Sequence, residues 1–117
     1  MFDFEKLEVY KKAKNFNKNV LAFLRGPITI DSVTKNQLRR ASLSIALNIA
    51  EGTSRFSKAD KRHFYVISRG SAFECVAVFD ILKDEVVISS EEFRSFYEKG
   101  EEISRMLFKM IDNLKPD

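Results

Sequence analysis

Four long stretches of the chain repeat apolar residues at intervals of three and four positions, and few residues interrupt them. This spacing is that of an amphipathic α-helix, which turns once in about 3.6 residues. The 117 residues include only four glycines and two prolines, which is few for a β-rich chain with its frequent tight turns. With 44% apolar residues, a chain of this length can bury a core of its own. The sequence therefore predicts one all-α domain over residues 1–117.

Capping signals divide the chain into four expected helices, at about 4–24, 34–52, 58–83 and 89–114. Thr34 and Ser89 each stand three positions before a glutamine or glutamate, which is the pattern of a capping box, and Ser57 can cap the third helix. We expect Gly52 to end the second helix in a left-handed conformation. Because the connections are short, consecutive helices should run antiparallel. The predicted fold is an up-down-up-down antiparallel four-helix bundle.

The second and third helices carry apolar residues on two sides. On the second helix, Leu38 and Ile45 belong to a core stripe, whereas Leu43 and Leu47 fall on another face. The third helix has an expected core stripe of Phe64, Ile67, Ser71, Cys75, Val78 and Leu82. Its opposite side holds Val66, Phe73, Val76 and Ala77.

A bundle covers one broad face of each helix, so a second apolar face needs another cover unless its residues are simply tolerated in water. The simplest cover is a second copy of the chain. We therefore expect a homo-oligomer whose interface includes Leu43, Leu47, Phe73 and Val76.

The charged residues are distributed unevenly. Residues 35–69 hold eight basic and two acidic residues, whereas residues 70–117 hold six basic and eleven acidic ones. A basic surface of this kind can bind an anion such as phosphate, can meet an acidic patch of another subunit, or can be a solvated turn. Arg39 could instead pair with Glu74 across the second and third helices. The candidate nucleic-acid contacts are Arg39, Arg40, Arg55, Lys58, Lys61, Arg62 and Arg69.

Other polar and small residues of these helices are expected to have structural roles. Asn48 should hydrogen-bond across helices, and Glu51, which opposes the dipole at a helix C-terminus, needs a cationic partner such as Arg55. Glycine inside a helix costs about 1 kcal/mol relative to alanine, so Gly70 should mark close packing against the second helix. The expected structural set is Ser44, Asn48, Glu51, Gly52, Gly70, Ser71 and Glu74.

Five segments carry a family resemblance: "LEVYKKA" at 7–13, "RRA" at 39–41, "SIALNIAEG" at 44–52, "RFS" at 55–57 and "GSAFE" at 70–74. In this order they resemble the bacterial four-helix-bundle proteins associated with intervening sequences in large-subunit ribosomal RNA genes. The accessory protein of diversity-generating retroelements is similar as well. The chain departs from the family pattern at the end of the third helix, "LKDEVVI", and at Arg69, which is larger than the small residue expected there.

The resemblance covers essentially the whole chain, and it implies a four-helix bundle that assembles into a ring, a pentamer. It also implies RNA or DNA as the partner. From the residues and the resemblance together we expect a non-enzymatic oligomer that binds nucleic acid through the basic surface of its second and third helices. The alternative is an oligomeric scaffold or adaptor that binds another protein.

The sequence lacks the patterns of common catalytic and metal sites. Cys75 lies on the expected core stripe without a neighbouring histidine, and His63, the one histidine, cannot form a metal site alone. We therefore expect no enzymatic activity, no metal and no cofactor. The N-terminus has no signal-peptide pattern and no apolar run reaches membrane length. We expect a cytoplasmic protein with a reduced cysteine and no membrane partner.

Overall fold

The computed structural model describes residues 1–116, which form four helices and one 3-10 turn. Helix α1 spans Glu8–Arg25, α2 spans Ser32–Thr53, α3 spans Lys58–Asp84 and α4 spans Ser90–Asn113, and the 3-10 turn Asp3–Lys6 precedes α1. No strand occurs within this described part of the chain. The helices pack side by side into a body about 47 Å long and 27 by 23 Å across. The predicted all-α class is confirmed.

Contacts between neighbouring helices show that they run antiparallel. Arg62 of α3 reaches the carbonyl of Ile111 on α4, and Arg69 reaches that of Ser104, so α4 descends as α3 ascends. The same opposition of residue numbers holds for α2 with α3 and for α1 with α4, in the pairs Ser44–Ser71, Ile45–Ser68, Lys12–Glu102 and Phe16–Phe96. The predicted up-down-up-down bundle is therefore correct. Residue 8, the α2–α3 turn and residue 113 share one end of it.

Phenylalanine rings fill the middle of the core. Phe79 of α3 and Phe96 of α4 stack with their ring centroids 4.0 Å apart. Phe16 and Phe23 of α1 meet this pair edge-on, with centroid distances of 5.6 to 6.1 Å. Rings in this geometry bury large apolar areas, and their edge-to-face contacts add a further favourable interaction energy. The cluster joins three helices at one level of the bundle.

The expected helix starts are right for α3 and α4 and wrong for α1 and α2. Ser57 and Ser89 cap their helices, and Ser89 forms the complete capping box with Glu92. At α2 the cap is Asp31, whose carboxylate accepts from the N–H of Thr34 at 2.8 Å and from its hydroxyl at 3.0 Å. Thr34 thus lies inside the first turn, because the carboxylate three residues earlier satisfies the free N–H groups.

Whereas α2 starts earlier than expected, α1 starts later, at Glu8. Phe4 belongs to the 3-10 turn, and Leu7 adopts an extended backbone that separates this turn from α1. The apolar period continues across the break, and this continuity caused the error. Leu7 and Tyr10 still pack against the core.

Neither glycine of the middle helices has the role expected from the sequence. Gly52 is not a left-handed terminator: no described glycine has a positive φ, and α2 continues to Thr53. A Cβ at Gly52 would lie 2.5 Å from Cε1 of Tyr65, so the glycine allows close packing of α2 on α3. Gly70, which was expected to pack closely, is exposed, and a Cβ there would meet nothing within 4 Å.

The core face of α3 is rotated from the predicted stripe. Cys75 and Leu82 are buried as expected, but Ile67 is exposed, and Phe64, Ser71 and Val78 are only partly buried. The buried positions are Tyr65, Ser68, Ala72, Cys75, Phe79 and Leu82. Ser68 can occupy the core because its hydroxyl donates to the carbonyl of Ile45 at 2.7 Å. A helical-wheel projection that uses hydropathy alone cannot predict this hydrogen bond between α2 and α3.

The turn between α3 and α4 is closed by backbone hydrogen bonds. Val87 donates to the carbonyl of Leu82 at 2.9 Å, and Val86 donates to that of Lys83 at 3.0 Å. Val86 takes a left-handed conformation with a φ of 61°, at a position where glycine is usual. The departure from the family pattern thus keeps the turn and places a β-branched residue in its strained position.

Candidate nucleic-acid interface and assembly surfaces

The α2–α3 connection and the first turns of α3, residues 54–63, form the surface that we call the basic turn. Arg55 lies 3.3 Å from the carboxylate of Glu51, and its guanidinium covers the ring of Phe64 at 4.6 Å. Lys61 donates to the carbonyl of Thr53 at 3.1 Å and to that of Gly52 at 3.5 Å. The cation at Lys61 therefore satisfies the free carbonyls at the C-terminus of α2.

Hydrogen bonds hold the chain firmly in this turn. The hydroxyl of Ser54 donates to the carbonyl of Glu51 at 2.6 Å, and the N–H of Arg55 donates to that of Gly52 at 3.2 Å. Ser57 then caps α3 by accepting from the N–H of Asp60 at 3.1 Å. Between Arg55 and Ser57, the side chain of Phe56 is fully exposed.

A cleft of about 390 Å³ opens where the start of α3 meets the end of α4. Lys58, Arg62 and His63 lie on one side of it. We call it the basic cleft, and its remaining lining is Ala59, Val66, Leu114 and Pro116. Nε of Arg62 donates to the carbonyl of Ile111 at 3.3 Å, so this arginine also closes the C-terminal turn of α4.

Arg69 lies away from the basic cleft, between α3 and α4. Its guanidinium sits 4.7 Å from the ring centroid of Phe73 and 5.4 Å from that of Phe108, and its Nε donates to the carbonyl of Ser104 at 3.3 Å. Arg62 and Arg69 are seven residues apart, as are the two carbonyls on α4 that they reach. Seven residues make about two helical turns, so the spacing indicated that both arginines share one face of α3, and the structure shows that this face contacts α4.

Arg39 and Arg40 lie far from the basic turn. Arg40 lies thirteen residues before Thr53, the last residue of α2, which is about 20 Å along the helix axis. Arg39 donates to Asn36 at 3.3 Å, and no ion pair with Glu74 is present among the described residues. It is Arg40 that shares a groove with Glu74. The seven predicted contacts therefore form three separate groups rather than one surface.

Several of the predicted structural residues lie between α2 and α3. The hydroxyls of Ser44 and Ser71 hydrogen-bond across the two helices at 2.9 Å. Asn48 does not cross to α3: its amide donates to the carbonyl and the hydroxyl of Ser44, both at 2.8 Å. The amide of Asn48 bonds to the nearer acceptors of its own helix. It therefore contributes to the contact with α3 only through the hydrogen-bonded pair of Ser44 and Ser71. Glu51 has Arg55 as its cationic partner.

The predicted interface residues divide between two surfaces. Leu43 and Leu47 project from α2 with 44% and 56% of their area exposed, and we call this pair the α2 ridge. Phe73, which is 56% exposed, and the partly buried Val76 line a second surface between α3 and α4.

This second surface is a groove of about 470 Å³, which we call the apolar groove. It continues onto α4, which sequence reasoning did not include in the interface. A Cβ at Gly100 would lie 2.6 Å from Cγ2 of Val76, so this glycine deepens the groove. Its lining is Ala72, Phe73, Val76, Ala77, Asp80, Phe93, Tyr97, Gly100, Glu101 and Ser104. The helical spacing of Phe93, Tyr97 and Ser104 in the sequence was the signal that could have predicted the contribution of α4 to this groove.

Cys75 is buried and chemically shielded. Burial, with a smaller contribution from the charge of Glu74, raises the pKa of its thiol to about 12. A thiol of this kind reacts slowly because the thiolate is the nucleophile. Among residues 1–116, no three or more His, Cys, Asp or Glu side chains stand together as a metal site. In that same range no helix has an apolar stretch of the length that a bilayer crossing requires.

The fold and these surfaces define an all-α four-helix-bundle protein with a basic turn at one end and apolar surfaces along its sides. Residues 5–109 match the family model described as the 23S rRNA-intervening sequence protein. The chain belongs to this family, as the resemblance of its segments indicated. No curated protein matches the chain.

A solved structure supports the same fold. It is the crystal structure of a protein of the S23 ribosomal protein family from Bacteroides thetaiotaomicron, which is described as having unknown function. The TM-score is 0.83 with 24% sequence identity, over 88% of this chain and 97% of that chain. At this identity the likeness concerns the fold alone.

Proposed function

We propose that this protein binds nucleic acid through the phosphate backbone at its basic turn, as a non-enzymatic member of its family. The supporting observation is the basic cleft, where Lys58, Arg62 and His63 line one opening. Arg55 and Lys61 stand beside it on the same turn. Cations grouped in this way replace the counterions of phosphates, and this binding is independent of sequence and weakens with salt.

The proposed surface is smaller than the one expected from the sequence. Arg69 is held between two rings and a carbonyl, and its position favours a structural role. Arg39 and Arg40 lie about two-thirds of the way along α2 from the basic turn, so they would meet a different part of any ligand. Arg55 and Lys58 are the residues to change, because a change at Lys61 or Arg62 would remove a hydrogen bond to a backbone carbonyl at the end of a helix.

Fluorescence anisotropy with a structured RNA and with a duplex DNA, each titrated with salt, tests this proposal. We compare the wild type with Arg55→Gln/Lys58→Gln and with a matched control, Lys18→Gln/Arg94→Gln, whose residues are exposed on α1 and α4. The basic-turn variant should bind more weakly and lower the slope of log K against log salt by about 0.7 to 0.9 for each lost contact. The control should keep the wild-type slope. No binding at low salt, or an equal loss in both variants, would overturn the proposal.

We also propose that the chain assembles by placing the α2 ridge of one copy in the apolar groove of the next. Both surfaces expose apolar side chains. Arg39 and Arg40 flank the ridge on the helix surface, and the groove carries Asp80 and Glu101 at its polar positions. The charges of the two surfaces are therefore complementary. Because ridge and groove are different surfaces, the contact is heterologous, and copies joined in this way form the ring that the family resemblance implies if the rotation between neighbours closes.

The exposed Gly70 supports this assembly. A glycine in a helix interior costs about 1 kcal/mol relative to alanine, and no atom outside its own helix lies close enough to require one here. Val66, Phe73 and Ala77 stand exposed around it on the outer face of α3. A neighbouring copy that approaches the backbone at Gly70 accounts for both the missing side chain and the exposed apolar ones.

Light scattering on Leu47→Glu and Phe73→Glu tests the assembly, with far-UV circular dichroism to confirm that each variant stays helical. Each variant alone should be monomeric, because each has lost one of the two complementary surfaces. A mixture should form a dimer, since Leu47→Glu keeps an intact groove and Phe73→Glu keeps an intact ridge. A multimeric mass for either single variant would contradict this interface. A monomeric wild type would favour the scaffold alternative, with another protein in the groove.

A further inference from the structure

Phe56 is the most exposed large apolar side chain in the described part of the chain, and it stands between the cations Arg55 and Lys58. We infer that its ring is a stacking platform for an unpaired base, so that the ligand of the basic turn is single-stranded nucleic acid or the loop of a folded one. This inference rests on the proposed function and makes its ligand class more specific.

The turn holds the backbone on both sides of Phe56 in place. The residues before it are held by the bonds of Ser54 and Arg55 to α2, and the residue after it, Ser57, caps α3. An aromatic side chain on a turn that is already ordered loses little conformational freedom when a base stacks on it. A ring that water surrounds on a rigid turn is therefore prepared for such a contact.

The surroundings of the ring fit a nucleotide better than an apolar protein surface. Arg55 covers the ring of Phe64, and among residues 1–116 no cation-π contact to the exposed ring of Phe56 occurs. Lys58 begins α3 two residues later and lines the basic cleft, where phosphates would lie. Single-strand binding surfaces combine these two elements, a cationic track for the backbone and an aromatic ring for the bases.

Phe56 is also separate from the proposed assembly surfaces. It lies at the end of the bundle, whereas the α2 ridge and the apolar groove lie along its sides, and it does not line the groove. Self-association through those surfaces would leave the ring of Phe56 exposed to water. Base-stacking accounts for this exposed ring.

The absence of tryptophan from the chain allows a direct test. The variant Phe56→Trp places a single fluorescent reporter at the ring position, and the variants Phe56→Ala and Phe56→Leu remove the aromatic face, the latter while keeping apolar volume. Each is titrated by anisotropy with an unstructured single-stranded RNA and with a duplex of the same length. Light scattering establishes the mass of each variant.

Phe56→Trp should bind single strands as well as the wild type does, with quenching of its fluorescence by the stacked base. Phe56→Ala and Phe56→Leu should lose roughly 5- to 150-fold in affinity for single strands. Their affinity for the duplex and their salt slope should be unchanged, because the phosphate contacts remain.

Wild-type affinity for single strands in Phe56→Ala would overturn the stacking inference and leave phosphate binding standing. A wild type that binds neither ligand at low salt would overturn both. A change of mass in Phe56→Ala would show that the ring is a contact between copies and would overturn the inference as well.

Discussion

The two faces of α3 contain similar small and apolar residues and differ in what covers them. On the inner face, Ser68, Cys75 and Phe79 are buried against the other helices, and the serine hydroxyl has its acceptor on α2. On the outer face, Gly70 and Phe73 stand in water. The inner face is buried by the other helices of the same chain. The outer face has the apolar composition of a core but is exposed to solvent in the single chain. The comparison teaches that apolar content alone does not locate the core of a helix.

The pair Gly52 and Gly70 shows the same difference at the scale of one atom. A methyl group at Gly52 would meet the buried ring of Tyr65, whereas one at Gly70 would meet nothing. Glycine is required at the first position by the fold of the single chain. At the second position the chain itself gives no reason for it, and the reason that we propose is a neighbouring copy.

The largest expected effect is on the rate at which the thiol of Cys75, on the inner face, reacts with a thiol reagent. With a thiol pKa of about 12 against an ordinary value of 9.0, the thiolate fraction at pH 8 is lower by about a thousandfold. The native protein should therefore react with a thiol reagent orders of magnitude more slowly than the protein in guanidinium. Absorbance with a chromogenic disulfide follows the reaction, and rapid stoichiometric labelling of the native protein would show that the inner face is open.

The same thiol makes folding stability depend on pH. Between pH 9 and 12 the unfolded chain has released the proton of Cys75 while the folded chain still holds it, so the unfolded state binds fewer protons. The free energy of unfolding should therefore fall as the pH rises above about 9. Chemical denaturation of the wild type and of Cys75→Ala across this range isolates the contribution of the thiol.

The next effect in size is at Gly52. In Gly52→Ala the new Cβ would lie 2.5 Å from Cε1 of Tyr65, and this overpacking outweighs the better helix propensity of alanine. We expect a net loss of about 1–2 kcal/mol in the free energy of unfolding, measured in urea. In a Tyr65→Leu background the clash is removed, and Gly52→Ala should lose most of its cost. An equal cost in both backgrounds would mean that Gly52 serves another purpose.

The smallest expected effect is an increase, rather than a decrease, in the free energy of unfolding. Gly70→Ala should stabilise the folded chain by about 0.5–1 kcal/mol, because alanine favours the helix and has room there. It should also weaken self-association, since the added methyl group stands where a second copy would approach. Urea denaturation and light scattering measure the two effects on the same samples. A gain in stability with an unchanged assembly would remove Gly70 from the interface.

The sequence predicted the fold class and topology because these depend on local signals. The serine caps of α3 and α4 form bonds within three residues, so their pattern can be read directly. The cap of α2 was missed because Asp31 and Thr34 are both good caps, and the geometry of the chain entering the helix decides between them. The phase of α3 depended on the bond of Ser68 to α2, a contact between distant parts of the chain.

The candidate site was less predictable than the fold. The sequence shows which residues of the middle helices are basic, but the partners of these residues come from other elements. Lys61 bonds to the end of α2, and Arg62 and Arg69 bond to α4. A count of charges cannot separate a cation that supports a helix end from one that is available to a ligand. The full exposure of Phe56 likewise depends on the path of the turn, and the sequence shows only a phenylalanine beside an arginine.

The even number of antiparallel helices has a practical consequence for experiments on this chain. Residues 8 and 113 lie at the same end of the bundle as the α2–α3 turn. An affinity tag, a fluorophore or a surface linker attached next to residue 8 or residue 113 would therefore lie at the end that carries the basic turn, where it would interfere with the binding that we propose. The connections at 26–31 and 85–89 lie at the far end and offer attachment points that leave the basic turn facing outward.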